Sequence, residues 1–140
     1  MVLAAGLTSR REPASHSRRL VELAFDGKFE LVVTETLLHE VYEVLVDPKF
    51  VGRIREPEAA TLVAGLTNVA SVLIRDAQIE HPGLTDDPDD DYLAHAALGT
   101  GAFLVTRDDA ANFGKVEGLR VGRPGLALRM IGAFDERDVR

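Results

Sequence analysis

Cysteine is absent from the 140 residues, which excludes a disulfide framework and every thiolate metal site. A chain without cystines fits the reducing cytosol, and a cytoplasmic location is expected. Long apolar runs are missing too: none approaches the ~20 residues that span a bilayer. Met1–Leu7 is apolar, but Arg10 and Arg11 follow it, the reverse of the order in a secretory signal. No membrane role is expected. Net positive charge is lacking, at a formal −7, which argues against a passive, all-over basic nucleic-acid binder. It leaves room for a nuclease that works through bound cations, because metal ions invert the local sign.

Other absences narrow the chemistry. There is no repeat and no low-complexity segment. No phosphate-binding P-loop, G-x-G-x-x-G or G-x-S-x-G occurs, and Ser–His hydrolysis has no supporting local pattern. The four histidines, His16, His39, His81 and His95, form no pair at helix-mate or turn-mate spacing, so zinc is not expected. His95 falls off the inward face of its helix.

The length suits one domain over residues 1–140, enough to bury a sizeable core without staples. A loop is expected at Arg10–Pro13 and a helix from about Ser15 to Phe25, with Leu20, Val21 and Ala24 inward and Gly27 past its end. Phe29–Val33 reads as a strand, and Thr36–Val46 as a helix stopped by Pro48. Glu58–Asn68 reads as a helix with Leu62, Val63 and Leu66 in the core, and Ser71–Ile74 as a short edge strand. Pro82-Gly83 marks a turn. Asp87 and Pro88 sit where an N-cap and a first helical residue belong, opening a helix that runs to Leu98 and ends at Gly99 and Gly101. Ala102–Thr106 reads as a buried-type strand, Leu119–Val121 as another, and Pro124–Phe134 as a final helix. Strands alternating with helices imply an α/β sandwich around a mostly parallel sheet. Ligands in such sheets sit beyond the carboxyl ends of the strands. Two of these ends meet acids: Val33 leads into the Glu40 helix, and Val105 leads to Asp108.

Three segments carry candidate chemistry. In Leu37–Leu45, the apolar stripe is Leu37, Leu38, Val41, Val44 and Leu45. Glu40 lies at its edge, about 100° from the centre, and Glu43 lies nearly opposite. Glu40 can therefore lean into a cleft while Glu43 faces water, although both could be solvated helix charges. In Asp86–Asp91, five of six residues are acids. One or two would satisfy a helix start, and five repel each other. With Leu93, Ala94, Ala97 and Leu98 taken as the inward face, Asp90 falls near its middle, and Asp89 and Asp91 about 100° to either side. An inward carboxylate needs a partner, and a divalent cation is one. In Phe103–Asp109, a strand followed by Thr106 and Asp108 places oxygen ligands at a strand's carboxyl edge, though an ordinary turn with Asp108 as a cap has the same pattern. Carboxylates without competing Cys or His favour Mg²⁺ or Mn²⁺.

Glu40, then Asp87-Pro88-Asp89-Asp90-Asp91-Tyr92-Leu93-Ala94-His95-Ala96-Ala97-Leu98, then Leu104-Val105-Thr106-Arg107-Asp108, together resemble the PIN domain. The likeness is greatest to PIN-domain proteins regarded as toxins of bacterial toxin–antitoxin pairs, and runs from Val2 to about Ile131. It implies a three-layer α/β/α sandwich and a metal-dependent endoribonuclease that cleaves RNA by two-metal hydrolysis. It also implies a homodimer and silencing by a cognate antitoxin protein. Carried over by position, Glu40 is the helix-borne acid, Asp90 the acid seven residues before Ala97-Leu98, Asp91 its reserve, Asp108 the acid after the strand, and Thr106 the hydroxyl beside it. The pattern departs at the start. The family opens with a strand ending in Asp-Thr-Asn, and here no acid precedes Glu12. The first strand and its metal ligand are expected to be missing from this chain. The alternative function is a catalytically impaired PIN-like module that binds an antitoxin-like partner or RNA without cutting.

Overall fold

The computed structural model describes residues 16–50, 53–75, 91–106, 113 and 116–132. The expected loop at Arg10–Pro13, the Pro82-Gly83 turn and the helix start at Asp87-Pro88 lie outside them.

Helix α1 (His16–Phe25) buries Ser17, Leu20, Val21, Leu23 and Ala24, which includes all three expected core positions. Strand β1 (Val32–Thr34) begins later than the apolar run suggests. Before it, the Leu31 carbonyl accepts from the Ser71 and Val72 N–H groups at 2.8 and 3.3 Å. Helix α2 (Glu35–Val46) follows at once. Its N-cap is Thr34, whose Oγ1 accepts from the Leu37 N–H at 2.9 Å, satisfying one of the free amides of the first turn. Helix α3 (Glu56–Val69) starts with Pro57 in its first turn, where the missing N–H costs nothing. Strand β2 (Val72–Ile74) completes this part.

The second part opens with helix α4 (Asp91–Thr100), which continues through Gly99. Gly101, at φ +71°, turns the chain in the left-handed region where a side chain costs energy. Strand β3 (Leu104–Val105) is shorter than expected and half-buried rather than fully buried. Strand β4 (Val121–Gly122) is displaced slightly from the expected Leu119–Val121. Helix α5 (Pro124–Met130) ends well before Phe134, because Gly132 adopts φ +72° just beyond it.

All described strands are parallel, as the alternation implies. β1 pairs with β2 through Val32–Val72, Val33–Leu73 and Thr34–Ile74. β3 pairs with β4 through Leu104–Val121 and Val105–Gly122. Among the described residues these form two separate two-stranded sheets. Strand and helix alternation with parallel pairing makes the chain an α/β protein. No helix among the described residues is long and apolar enough to cross a membrane.

Three apolar clusters hold the elements. Val41 and Leu45 of α2 pack with Ala59 and Leu66 of α3. Of the expected α3 core positions, Leu66 is fully buried, while Leu62 and Val63 pack against this cluster partly buried. Leu20 and Leu23 of α1 pack with Ala127 and Leu128 of α5. Ala94 of α4 packs with Phe113 and Val116, flanked by Leu104 and Val121.

Candidate functional site

The site is assembled where α2 and α4 meet. Periodicity alone puts Glu40 on the flank of its helix and Glu43 on the far side, and the structure places them so. Glu40 is half-buried, whereas the Glu43 side chain is 63% exposed and pairs with His39 at 2.9 Å along the same face. A contact so exposed is held weakly and belongs to the surface.

Glu40 does not lean into empty space. The Tyr92 hydroxyl donates to Glu40 Oε2 at 2.6 Å, across 52 residues of sequence. That length lies within the range of well-formed O–H···O hydrogen bonds. The bond brings the acid of α2 to the first turn of α4, where the acidic run ends.

The face of α4 differs from the expected one. Leu98, assigned inward, is 37% exposed, whereas Asp91, placed to the side, is only 6% exposed and Tyr92 only 8%. Ala94, Ala96 and Ala97 complete the buried set, so the helix is rotated towards its alanines and its first two residues. His95 is half-buried rather than on the open surface. Burial of an acid is costly without compensating contacts, and Asp91 is one of the few polar residues buried at all. Ser17 and Thr34 are the others among the described residues.

Two threonines stand at matching places. Thr34 ends β1 and caps α2, and Thr106 follows β3 directly. The Thr106 N–H donates to the Gly122 carbonyl at 3.0 Å, which fixes its backbone at the carboxyl edge of the second pair. Its side chain is half-buried. Asp90 and Asp108 lie outside the described residues. The structure therefore brings Glu40 to the Asp91-Tyr92 turn and locates Thr106 at a strand end.

The oxygen donors that the structure joins here are the Glu40 carboxylate and the Tyr92 phenol, with buried Asp91 next to Tyr92 in the chain. This set suits a hard divalent cation such as Mg²⁺ or Mn²⁺ and offers nothing to a soft one. Among the described residues, no group of three or more His, Cys, Asp or Glu side chains forms a metal site by itself. Sequence reasoning missed Tyr92 as a site residue. Its one signal in the sequence is its place directly after the acidic run, since on the expected face of α4 it falls nearly opposite the centre.

A family model of the PIN domain matches residues 1–110. No curated protein matches the chain significantly. With parallel strands and alternating helices in place, and the match spanning well over half of the sequence, the chain belongs to the PIN domain family, whose members are in general nucleases that use divalent metals.

Proposed function

We propose that this protein is a Mg²⁺- or Mn²⁺-dependent endoribonuclease similar to the toxin of a toxin–antitoxin pair. The observation that carries the reading is the tie between Glu40 and Tyr92 at 2.6 Å, beside buried Asp91. It joins the helix-borne acid to the acidic run, two segments that the sequence alone singles out separately.

Glu40 and Asp91 supply carboxylate oxygens for a cation, with Asp90 and Asp108 completing the ligand set by their places in the sequence pattern. Thr106 supplies a hydroxyl at the end of β3. When bound, divalent ions of this kind polarise a phosphodiester, activate water and stabilise the leaving oxygen. The carboxylates fix where that charge sits. The net charge of −7 then limits non-specific RNA binding, since few phosphate contacts can come from an acidic surface. The same reading gives the chain a second copy of itself and a cognate antitoxin as partners. Leu126, Met130 and Ile131, exposed on and just after α5, offer apolar surface for such contacts.

The test is cleavage of single-stranded and structured RNA by the full chain with Mg²⁺, with Mn²⁺ and with chelator. Metal-dependent cleavage is expected, abolished by Asp90→Asn and little changed by Glu43→Gln. Absence of cleavage under all metal conditions would remove the catalytic reading. Binding of RNA or an antitoxin-like protein without cutting would replace it.

A further inference from the structure

We propose that Tyr92 is a positioning residue: its hydroxyl holds the Glu40 carboxylate in the orientation that binds the divalent cation. The inference rests on the metal-dependent reading above and assigns a role to a side chain outside the acid set.

A glutamate has three side-chain torsions, and immobilising such a chain costs rotamer entropy. Glu40 is half-buried on the flank of α2, so packing alone does not fix its carboxylate. Tyr92 differs in each respect. It has two torsions, it is only 8% exposed, and it follows Asp91 in the first turn of α4. Its ring is thus a rigid strut anchored in the second half of the molecule. The 2.6 Å bond passes that rigidity to Glu40 Oε2.

The chemistry of the donor matters as much as its reach. Lysine or arginine at this place would neutralise the carboxylate and compete with a cation for it. A phenol donates one hydrogen bond without bringing a positive charge. It also engages only one of the two carboxylate oxygens. Partners of this kind, which orient a ligand from behind, alter metal affinity by about ten-fold or more when removed.

A purely structural bond between α2 and α4 would affect folding stability and leave cation binding unchanged. The two roles separate in a double-mutant cycle on the full chain. Mn²⁺ alone is titrated into the wild type, Tyr92→Phe, Glu40→Gln and the double variant. Free Mn²⁺ is followed by electron paramagnetic resonance, which reads dissociation constants into the millimolar range. Thermal midpoints are recorded without metal. Phenylalanine keeps the ring, so all four proteins are expected to fold. Tyr92→Phe is expected to weaken Mn²⁺ binding about ten-fold in the wild-type background and to add nothing in the Glu40→Gln background, because the two residues act as one unit. Unchanged affinity in Tyr92→Phe, with Glu40→Gln weakened, overturns the positioning role and leaves the metal-dependent reading standing. An equal loss in both backgrounds also overturns it, since Tyr92 would then act on the cation by another route. Wild-type affinity in Glu40→Gln, or no Mn²⁺ binding by any of the four proteins, overturns the reading on which the proposal rests and the proposal with it.

Discussion

The two strand pairs are both parallel and differ in what packs on them. Around β1 and β2 the fully buried side chains are large: Val33, Val41, Leu45 and Leu66 have no exposed surface. On α4, beside β3 and β4, the buried apolar positions are mostly alanines, although Leu20, Leu23 and Leu128 of α1 and α5 pack against Phe103 and Val105 in a separate cluster. Ala94, Ala96 and Ala97 stand where the first half has leucine and valine, and β3 itself is half-buried. Large side chains supply the area that stabilises a fold. Small ones supply little area but let the helix and its surroundings approach closely. The difference explains where the site forms. The first half is the rigid support that carries Glu40 on α2. The second half has room on α4 for an acid and a phenol to be buried side by side.

That contrast can be broken from either side. The largest effect is expected from Leu45→Ala, which empties a fully buried position between α2 and α3. A loss of about 3 kcal/mol is expected for such a truncation, read by denaturant unfolding at constant slope. A loss below about 1 kcal/mol, on the scale of that same mutant series, would show that the first half is not the tightly packed one. A smaller effect is expected from Ala94→Leu, which adds volume where α4 meets Phe113 and Val116. Overpacking a close contact costs about 2 kcal/mol, and the same unfolding measurement reads it. A neutral or stabilising result would mean that the alanine face is loosely packed, and the account of the second half would have to change.

The sequence made some of this arrangement legible and hid the rest, for physical reasons. On α2 the apolar stripe is broad and made of large residues, so periodicity located Val41 and Leu45 and put Glu40 at the edge with Glu43 in water. The face of α4 was misjudged because leucine outweighs alanine in any hydrophobic pattern. Periodicity puts Leu98 inward and Asp91 to the side, whereas packing against Phe113 and Val116 selects the small residues. The alternation of strands and helices showed parallel pairing, since neighbouring parallel strands require a crossover. Strand ends were less legible. A two- or three-residue ladder is fixed by backbone partners far away in sequence, as in the Thr106–Gly122 bond. Asp90, Asp91, Glu40 and Asp108 stood out as acids in suspicious places. The bond from Tyr92 to Glu40 did not, because its partners are 52 residues apart and no local pattern relates them.

Glu40 and the first turn of α4 are proposed to act together on one divalent cation. Calorimetric titration of Mn²⁺ into Glu40→Gln and Glu43→Gln tests it most directly, because the two acids share a helix and differ in which way they face. The account predicts that Glu40→Gln loses most of the Mn²⁺ affinity, by about ten-fold or more, while Glu43→Gln binds as the wild type does. Equal binding by the two variants, or a loss confined to Glu43→Gln, would contradict it.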